Sequence, residues 1–407
     1  MAEKPQLAFV DFKVNTYIIV EGKLDIDRFF IIRQGKVRIS KTAEIVSEGD
    51  ILGPGDFFGI VSTMSVHAHI ETVQALTDVS LIAVHKNQFE GLIEHNTPIA
   101  MKIILSFSRR MRYLDHALTR ITLKGTDKGE DKSILWTIGQ FYESKTLRPQ
   151  AYYAYYQFVK LYPDDPLVER ARARMNLLQK YAAKLRFDYD PEDVNRSYKK
   201  DSILFSEGEK GEELFIIKSG AVKITKIMNN NEVLLAVLKP GDIFGEMALL
   251  ESEPRSASAI AHEDCTVMVI NRDNFQSMAA TQPQIVARLT KLLADRIWLI
   301  YKQLANALIE DPIERIYDAL VMQLEKERIP LEMPSAHTFN FGAKELATMV
   351  GIPQQEMSLV LYKLLQENRS KSVEIDNNNK IHVSNVVEVA KECTYHRNIR
   401  LRKENRR

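Results

Sequence analysis

The segment from Gly241 to Ala261, GDIFGEMALLESEPRSASAIA, gathers residue types that suit one task. A glycine lets the backbone come close to a ligand, a short apolar run offers backbone N–H groups, and one carboxylate, Glu246, precedes one arginine, Arg255. Free N–H groups at the start of a helical turn attract phosphate, and an arginine fork adds two charge-assisted bonds to the same anion. A carboxylate repels phosphate but accepts from the hydroxyls of a sugar. The set reads as a pocket for a ribose phosphate.

A second version of this segment lies upstream. FIIRQGKVRISK from Phe30 to Lys41 parallels FIIKSGAVKITK from Phe215 to Lys226, and GDFFG at Gly55–Gly59 parallels GDIFG at Gly241–Gly245. Downstream the copies run in step, with Asp78 opposite Asp264, at an offset near 186 residues. The chain therefore holds two copies of one domain, over 7–120 and 194–305. The first copy departs at both key positions, with Ile60 in place of Glu246 and His69 in place of Arg255. Isoleucine accepts nothing from a sugar, and a histidine of ordinary pKa near 6.5 is mostly neutral at pH 7. That copy is expected to keep the fold and lose the ligand kit. His67, His69 and Glu71 alternate, so on a strand they share a face, and a cupin-type HxH-plus-Glu metal set is the rival reading. Such a set also wants a wider Glu spacing and a later His, so no metal is expected.

These residues need elements to hold them. Each copy reads as short strands around glycine turns, at Gly35 and Gly220, which suits a jelly roll, followed by a helical segment at 98–118 or 283–309. Between the copies, 131–187 is helical in pattern. After them come a helix over 311–326, then AKELATMVGIPQQEMSLVLYKLLQENRS as helix, Gly351 turn and helix, then a hairpin around Asp376–Asn379 with Val373, Ile375, Ile381 and Val383 alternating. Helix, turn, helix, hairpin spells a winged helix-turn-helix. Leu289, Leu293, Ile297, Ile300, Leu304 and Leu308 form a stripe at helical spacing, which calls for a partner surface.

Composition bounds the rest. The 407 residues suggest about three domains at roughly 150 residues each, and 45% apolar residues exclude a disordered chain. With 55 Lys and Arg against 54 Asp and Glu, no global basic field announces nucleic acid. Two cysteines supply neither a disulfide framework nor a thiolate metal site. No signal-peptide or membrane-spanning run is apparent, so the expected address is the cytoplasm. No paired carboxylates and no nucleophile–base set point to an enzyme.

FGE-(M/L)-AL followed by PR-(S/A/T)-A resembles the phosphate-binding cassette of cyclic-nucleotide-binding domains, and the chain resembles the Crp/Fnr-type regulators that carry one. The resemblance implies an α+β multidomain protein with two jelly-roll (double-stranded β-helix) cyclic-nucleotide-binding-like domains and a winged helix-turn-helix, to which the pattern of 131–187, similar to one tetratricopeptide hairpin, adds a helical spacer that stacks on its neighbours. The expected divisions are 1–122 for the degenerate copy, 131–187 for a tetratricopeptide-like spacer, 188–309 for the ligand-binding copy with its dimerisation helix, 310–395 for the winged helix and 396–407 for a basic tail. By the same resemblance Glu246 takes the ribose 2′-hydroxyl and Arg255 the cyclic phosphate. Phe244, Gly245, Met247, Ala248, Ser256 and Ala257 complete the cradle, and Ile300 and Tyr301 meet the base. Ile300 stands where the family places a hydroxyl, so cAMP and cGMP both stay open, with cAMP slightly favoured. The nucleotide would be a regulatory ligand, with no cofactor and no metal, and the protein a homodimer.

DNA is the expected macromolecular partner, met by Gln354, Gln355, Ser358 and Lys363. Gln354 and Leu359 stand where the family has arginines, so the reading is weaker here, although glutamines read adenine and Arg397–Arg407 offers a flexible phosphate-binding arm. The alternative is a nucleotide-gated adaptor that binds proteins through the spacer and a repurposed winged helix.

Overall fold

Apolar alternation around Gly35 and Gly220 produces the same strands twice. The computed structural model describes residues 8–41, 51–122, 134–182, 189, 193–228, 231–245, 254–271, 281–352, 354–367, 371–376 and 380–404. The first copy comprises β1 (Ala8–Phe12), β2 (Tyr17–Ile19), β3 (Arg28–Gln34), β4 (Val37–Ser40), β5 (Ile51–Leu52), β6 (Phe57–Phe58), β7 (Thr72–Ala75) and β8 (Val79–His85). They form two four-stranded sheets, ordered β1-β8-β3-β6 and β2-β7-β4-β5. The second copy comprises β9 (Asn195–Tyr198), β10 (Ile203–Phe205), β11 (Glu213–Ser219), β12 (Val222–Met228), β13 (Asn231–Leu238), β14 (Ile243–Phe244), β15 (Ser258–Ala261) and β16 (Cys265–Asn271). Its sheets run β9-β16-β11-β14 and β10-β15-β12-β13, the same order strand for strand.

The match extends to polar detail. Asp78 accepts from Lys13 Nζ and the Val14 N–H, and Asp264 accepts from Lys199 Nζ and the Lys200 N–H. Gly35 and Gly220 both take positive φ, 91° and 75°, at turns where a side chain would strike the carbonyl of Asp78 or Asp264. Each jelly roll closes over an apolar core, with Ile32, Val37, Val73 and Leu81 buried in one copy and Ile217, Val222, Ala259 and Val267 in the other.

Helices fill the rest. The first copy holds α1 (Ile60–Ser65) and ends in α2 (Phe89–His95) and α3 (Thr97–Thr122). The spacer forms α4 (Ile134–Ser144), α5 (Arg148–Leu161) and α6 (Val168–Ala182). Gly139 permits the close packing of α4 on α5, because a Cβ there would lie 2.5 Å from the Tyr155 ring. The spacer shares one apolar core with Ile203 and Ile260 of the second copy. That packing matches a spacer stacked on its neighbour.

α7 (Pro283–Ala307) carries the apolar stripe. Leu289, Leu293, Ile297, Ile300 and Leu304 are all buried within the single chain, and Leu308 alone of the six is exposed. The stripe was expected to need a second copy. The chain's own residues cover it, so periodicity here revealed a buried face but not its cover.

The C-terminal region forms α8 (Pro312–Lys326), β17 (His337–Gly342), α9 (Ala343–Met349), α10 (Gln354–Glu367), β18 (Val373–Ile375), β19 (Lys380–Val383) and α11 (Val386–Glu404). Asp311 caps α8 by accepting from the N–H groups of Ile313 and Glu314. The expected hairpin forms, and it pairs Val373 with Val383 and Ile375 with Ile381. β17 joins it in the order β17-β19-β18. The flexible basic arm expected from residue 396 is corrected: α11 runs to Glu404, Arg397 meets Asp318 at 3.2 Å, and Arg400 Nε donates to Glu314 Oε1 at 2.9 Å. Acids on α8 draw these arginines back onto the module.

The chain divides into two compact units, one of Met1–Phe89, Arg110–Thr126 and Leu293–Arg407, the other of Glu90–Arg109 and Asp127–Leu292. Among the described residues no helix is long and apolar enough to cross a membrane.

Candidate functional site

In the second copy the arginine is placed by backbone before any ligand arrives. The Arg255 N–H donates to the Glu209 carbonyl at 2.8 Å, and the Gly208 N–H donates to the Arg255 carbonyl at 2.8 Å. This short clasp turns the side chain inward, and the residue is 6% exposed. Its Nη1 donates to the Gly245 carbonyl at 2.7 Å, and its Cζ lies 4.1 Å from the centre of the Phe205 ring. Gly211 and Gly245 make room for the guanidinium: a Cβ on Gly245 would stand 2.8 Å from Nη1 and one on Gly211 2.5 Å from Nε. A planar cation held on an aromatic face and against the start of the cassette suits recognition of an oxyanion.

Glu209 ties this clasp to the spacer. One carboxylate oxygen accepts from the Ser206 N–H and the Tyr153 hydroxyl, both at 2.9 Å. Burial pushes Glu209 up to about 7, against the opposing effects of the Ser206 N–H, Arg255 and Tyr153. Sequence reasoning passed over both residues, since Tyr153 and Glu209 lie 56 positions apart.

Of the other expected contacts, Phe244 and Ala257 are buried beside the cradle, and Ser256 is exposed. Glu246, Met247 and Ala248 lie outside the described residues. Ile300 and Tyr301 fall in the unit that contains the first copy. There the Tyr301 hydroxyl donates to Glu21 Oε1 at 2.9 Å, a commitment the expected contact with a base did not foresee.

The first copy repeats the clasp around a different side chain. The His69 N–H donates to the Lys23 carbonyl, and the Gly22 N–H to the His69 carbonyl, so His69 stands where Arg255 does. His69 Nε2 sits 3.1 Å from the Asp25 carbonyl, and Ile60 is buried. Glu71, where the second copy has Ala257, reaches into the cradle. It is 2% exposed, its Oε1 accepts from the Gly59 N–H at 3.0 Å, and its Oε2 lies 3.0 Å from Arg110 Nη1. Burial opposes the charge, but Arg110, Lys41 and the Gly59 N–H outweigh it and hold the carboxyl below its usual value. The metal reading of His67, His69 and Glu71 finds no support: Glu71 faces Arg110, His67 stacks on Trp298, and no group of three metal-ligating side chains occurs among the described residues.

In the C-terminal region Ser358 and Lys363 are exposed on α10, while the side chains of Gln354 and Gln355 are outside the described set. Leu359, Tyr362 and Leu365, three residues apart on the same helix, are also exposed.

Comparison with known proteins agrees with the duplicated fold. Residues 9–96 and 195–282 each match the family described as "Cyclic nucleotide-binding domain". The chain is 31% identical over 173 residues to the cyclic AMP receptor protein of Thermus thermophilus, covering 42% of this chain and 77% of that protein. It is 27% identical over 198 residues to a CRP-like cAMP-activated global transcriptional regulator of Mycobacterium tuberculosis, covering 48% and 87%. Among solved structures, the catabolite activator protein of Thermus thermophilus aligns over 50% of this chain and 95% of its own, at 27% identity and a TM-score of 0.29.

Proposed function

Because the chain belongs to the Crp-type family of cyclic-nucleotide-binding regulators, we propose that its second copy binds one cyclic mononucleotide and that the protein regulates transcription in response. In this reading Arg255 takes the cyclic phosphate, Glu246 the ribose 2′-hydroxyl, and Gly245, Met247, Ala248 and Ser256 complete the cradle, with Phe244 and Ala257 packed beneath. Cyclic AMP is favoured over cyclic GMP, the named relatives being a cyclic AMP receptor and a cAMP-activated regulator. One observation carries the proposal: a buried guanidinium pinned between the Gly245 carbonyl and the Phe205 ring. The first copy, with His69 and Ile60 at the matching positions, takes no nucleotide.

Residues 310–395 are read as a winged helix-turn-helix that meets DNA through α10, with Gln354, Gln355, Ser358 and Lys363 as its contacts. Ligand binding would bias two arrangements of the chain by differential affinity. Calorimetry with cAMP and cGMP tests the sensor: one site per chain is expected, lost in Arg255→Ala and intact in His69→Ala. Two equivalent sites, or undiminished binding by Arg255→Ala, would overturn it.

A second reading, a nucleotide-gated adaptor, is favoured by the exposed Leu359, Tyr362 and Leu365 on α10 and by the engagement of Arg397 and Arg400 with acids of α8. A gel shift over a salt series separates the two. A DNA binder loses affinity steeply as salt rises, whereas an adaptor gives no shift even at low salt.

A further inference from the structure

The first copy is filled from within. Glu71 already supplies the Gly59 N–H with an anion and gives Arg110 its counter-charge. An incoming phosphate would meet that carboxylate head on, with no arginine at position 69 to offset the repulsion.

The outer side of the same clasp is covered as well. The Trp298 ring lies flat on the His67 ring, with centroids 3.9 Å apart and planes 17° from parallel. Asp295 Oδ1 stands 4.0 Å from His67 Nε2, and the Tyr301 hydroxyl donates to Glu21 Oε1. Trp298 and Tyr301 are 2% and 3% exposed, although their helix follows the second copy. Glu21 and His67 belong to the two segments that the Gly22–His69 and His69–Lys23 backbone bonds hold together. α7 therefore rests on the counterpart of the Arg255 clasp.

We propose that the first copy is a dock for residues 293–307 of its own chain, built around the resident Glu71 carboxylate, in place of a second site for a diffusible ligand. This rests on the reading that assigns the nucleotide to the second copy. A carboxylate inside and an indole outside take up the two kinds of contact, anionic and aromatic, that a nucleotide would otherwise bring.

The chain has two tryptophans, so Trp136→Phe in the full-length protein leaves Trp298 as the sole indole reporter. Its emission should be that of a buried indole, poorly quenched by acrylamide and unchanged on dilution. His67→Ala should raise the quenching constant several-fold, and Glu71→Gln, which keeps the shape but removes the charge facing Arg110, should raise it less. Tyr301→Phe deletes one hydroxyl only and should raise quenching even if the other variants fold poorly. An indole freely quenched in the parent, or one indifferent to all three substitutions, would overturn the dock. Loss of protection on dilution would assign the occupant to a second copy and overturn the intramolecular arrangement. The nucleotide reading fails separately, through cAMP stoichiometry, which does not depend on Trp298.

Discussion

Gly211→Ala asks whether the position of Arg255, beyond its charge, holds the ligand. A Cβ at residue 211 would stand 2.5 Å from Arg255 Nε and 2.6 Å from Cζ, whereas ordinary contact starts at 3.4 Å. The guanidinium must therefore recede by about 1 Å, which breaks its 2.7 Å bond to the Gly245 carbonyl and lifts it from the Phe205 ring. Gly211 is absent from the residues with positive φ, so the backbone accepts alanine without strain. Folding should survive because a side-chain end can yield. Binding should not. Hydrogen bonds to charged groups contribute about 1.5–3 kcal/mol each, so a misplaced two-bond fork forfeits roughly 3 kcal/mol or more, about a hundredfold in affinity. Calorimetry with cAMP on wild type, Gly211→Ala and Arg255→Lys reads the effect, the lysine keeping charge without the planar fork. Affinity of Gly211→Ala within about threefold of wild type, some 0.7 kcal/mol, would refute the reasoning.

Glu209 gives a pH signature. Its folded value of about 7 exceeds the 4.5 of an unperturbed carboxyl, so between these values the folded chain holds a proton the unfolded chain has lost, and stability falls as pH rises through that window and levels above it. Glu209→Gln should flatten this part of a Tm–pH profile; parallel profiles would contradict the assignment. Gly139→Ala should overpack α4 against the Tyr155 ring and cost about 1–3 kcal/mol in thermal unfolding, an unaffected melt counting against the helix crossing. Arg400→Ala should leave the buried Glu314 without a hydrogen bond from Arg400 and destabilise the C-terminal region by about 1–3 kcal/mol. A change felt only in DNA binding, with the melt unmoved, would restore the free arm.

Local signals were legible and long-range ones were not. The repeat of FIIRQGKVRISK in FIIKSGAVKITK foretold two copies of one strand arrangement, and the alternation of Val373, Ile375, Ile381 and Val383 foretold the hairpin, because strand patterning acts over a few residues. The alignment of His69 with Arg255 anticipated the two identical backbone clasps. β17 escaped notice because HTFNFG is short and becomes a strand only through β19, some 40 residues on. The stripe on α7 showed which face is buried, yet periodicity carries no information on whose residues cover it. In the same way the basic composition after residue 396 pointed to solvent or phosphate, while the acids that engage it sit on α8.

Glu71 shows why a lost site is more than a list of missing residues. The cradle of the first copy retains the Gly59 N–H, buried and aimed inward, and a buried donor left without an acceptor costs about 1–3 kcal/mol. With a histidine in place of the arginine fork, the position lacks the two-bond donor that would hold an external phosphate there to accept from it. A carboxylate two residues on meets that need, but a buried carboxylate is itself costly unless paired, and Arg110 supplies the charge at 3.0 Å. In the second copy Ala257 brings no carboxylate to the matching position, and Arg255 stands where the first copy has His69. The side chains at 69 and 71, taken with their counterparts at 255 and 257, thus distinguish a copy with a resident carboxylate from one that carries an arginine and an alanine in the same places.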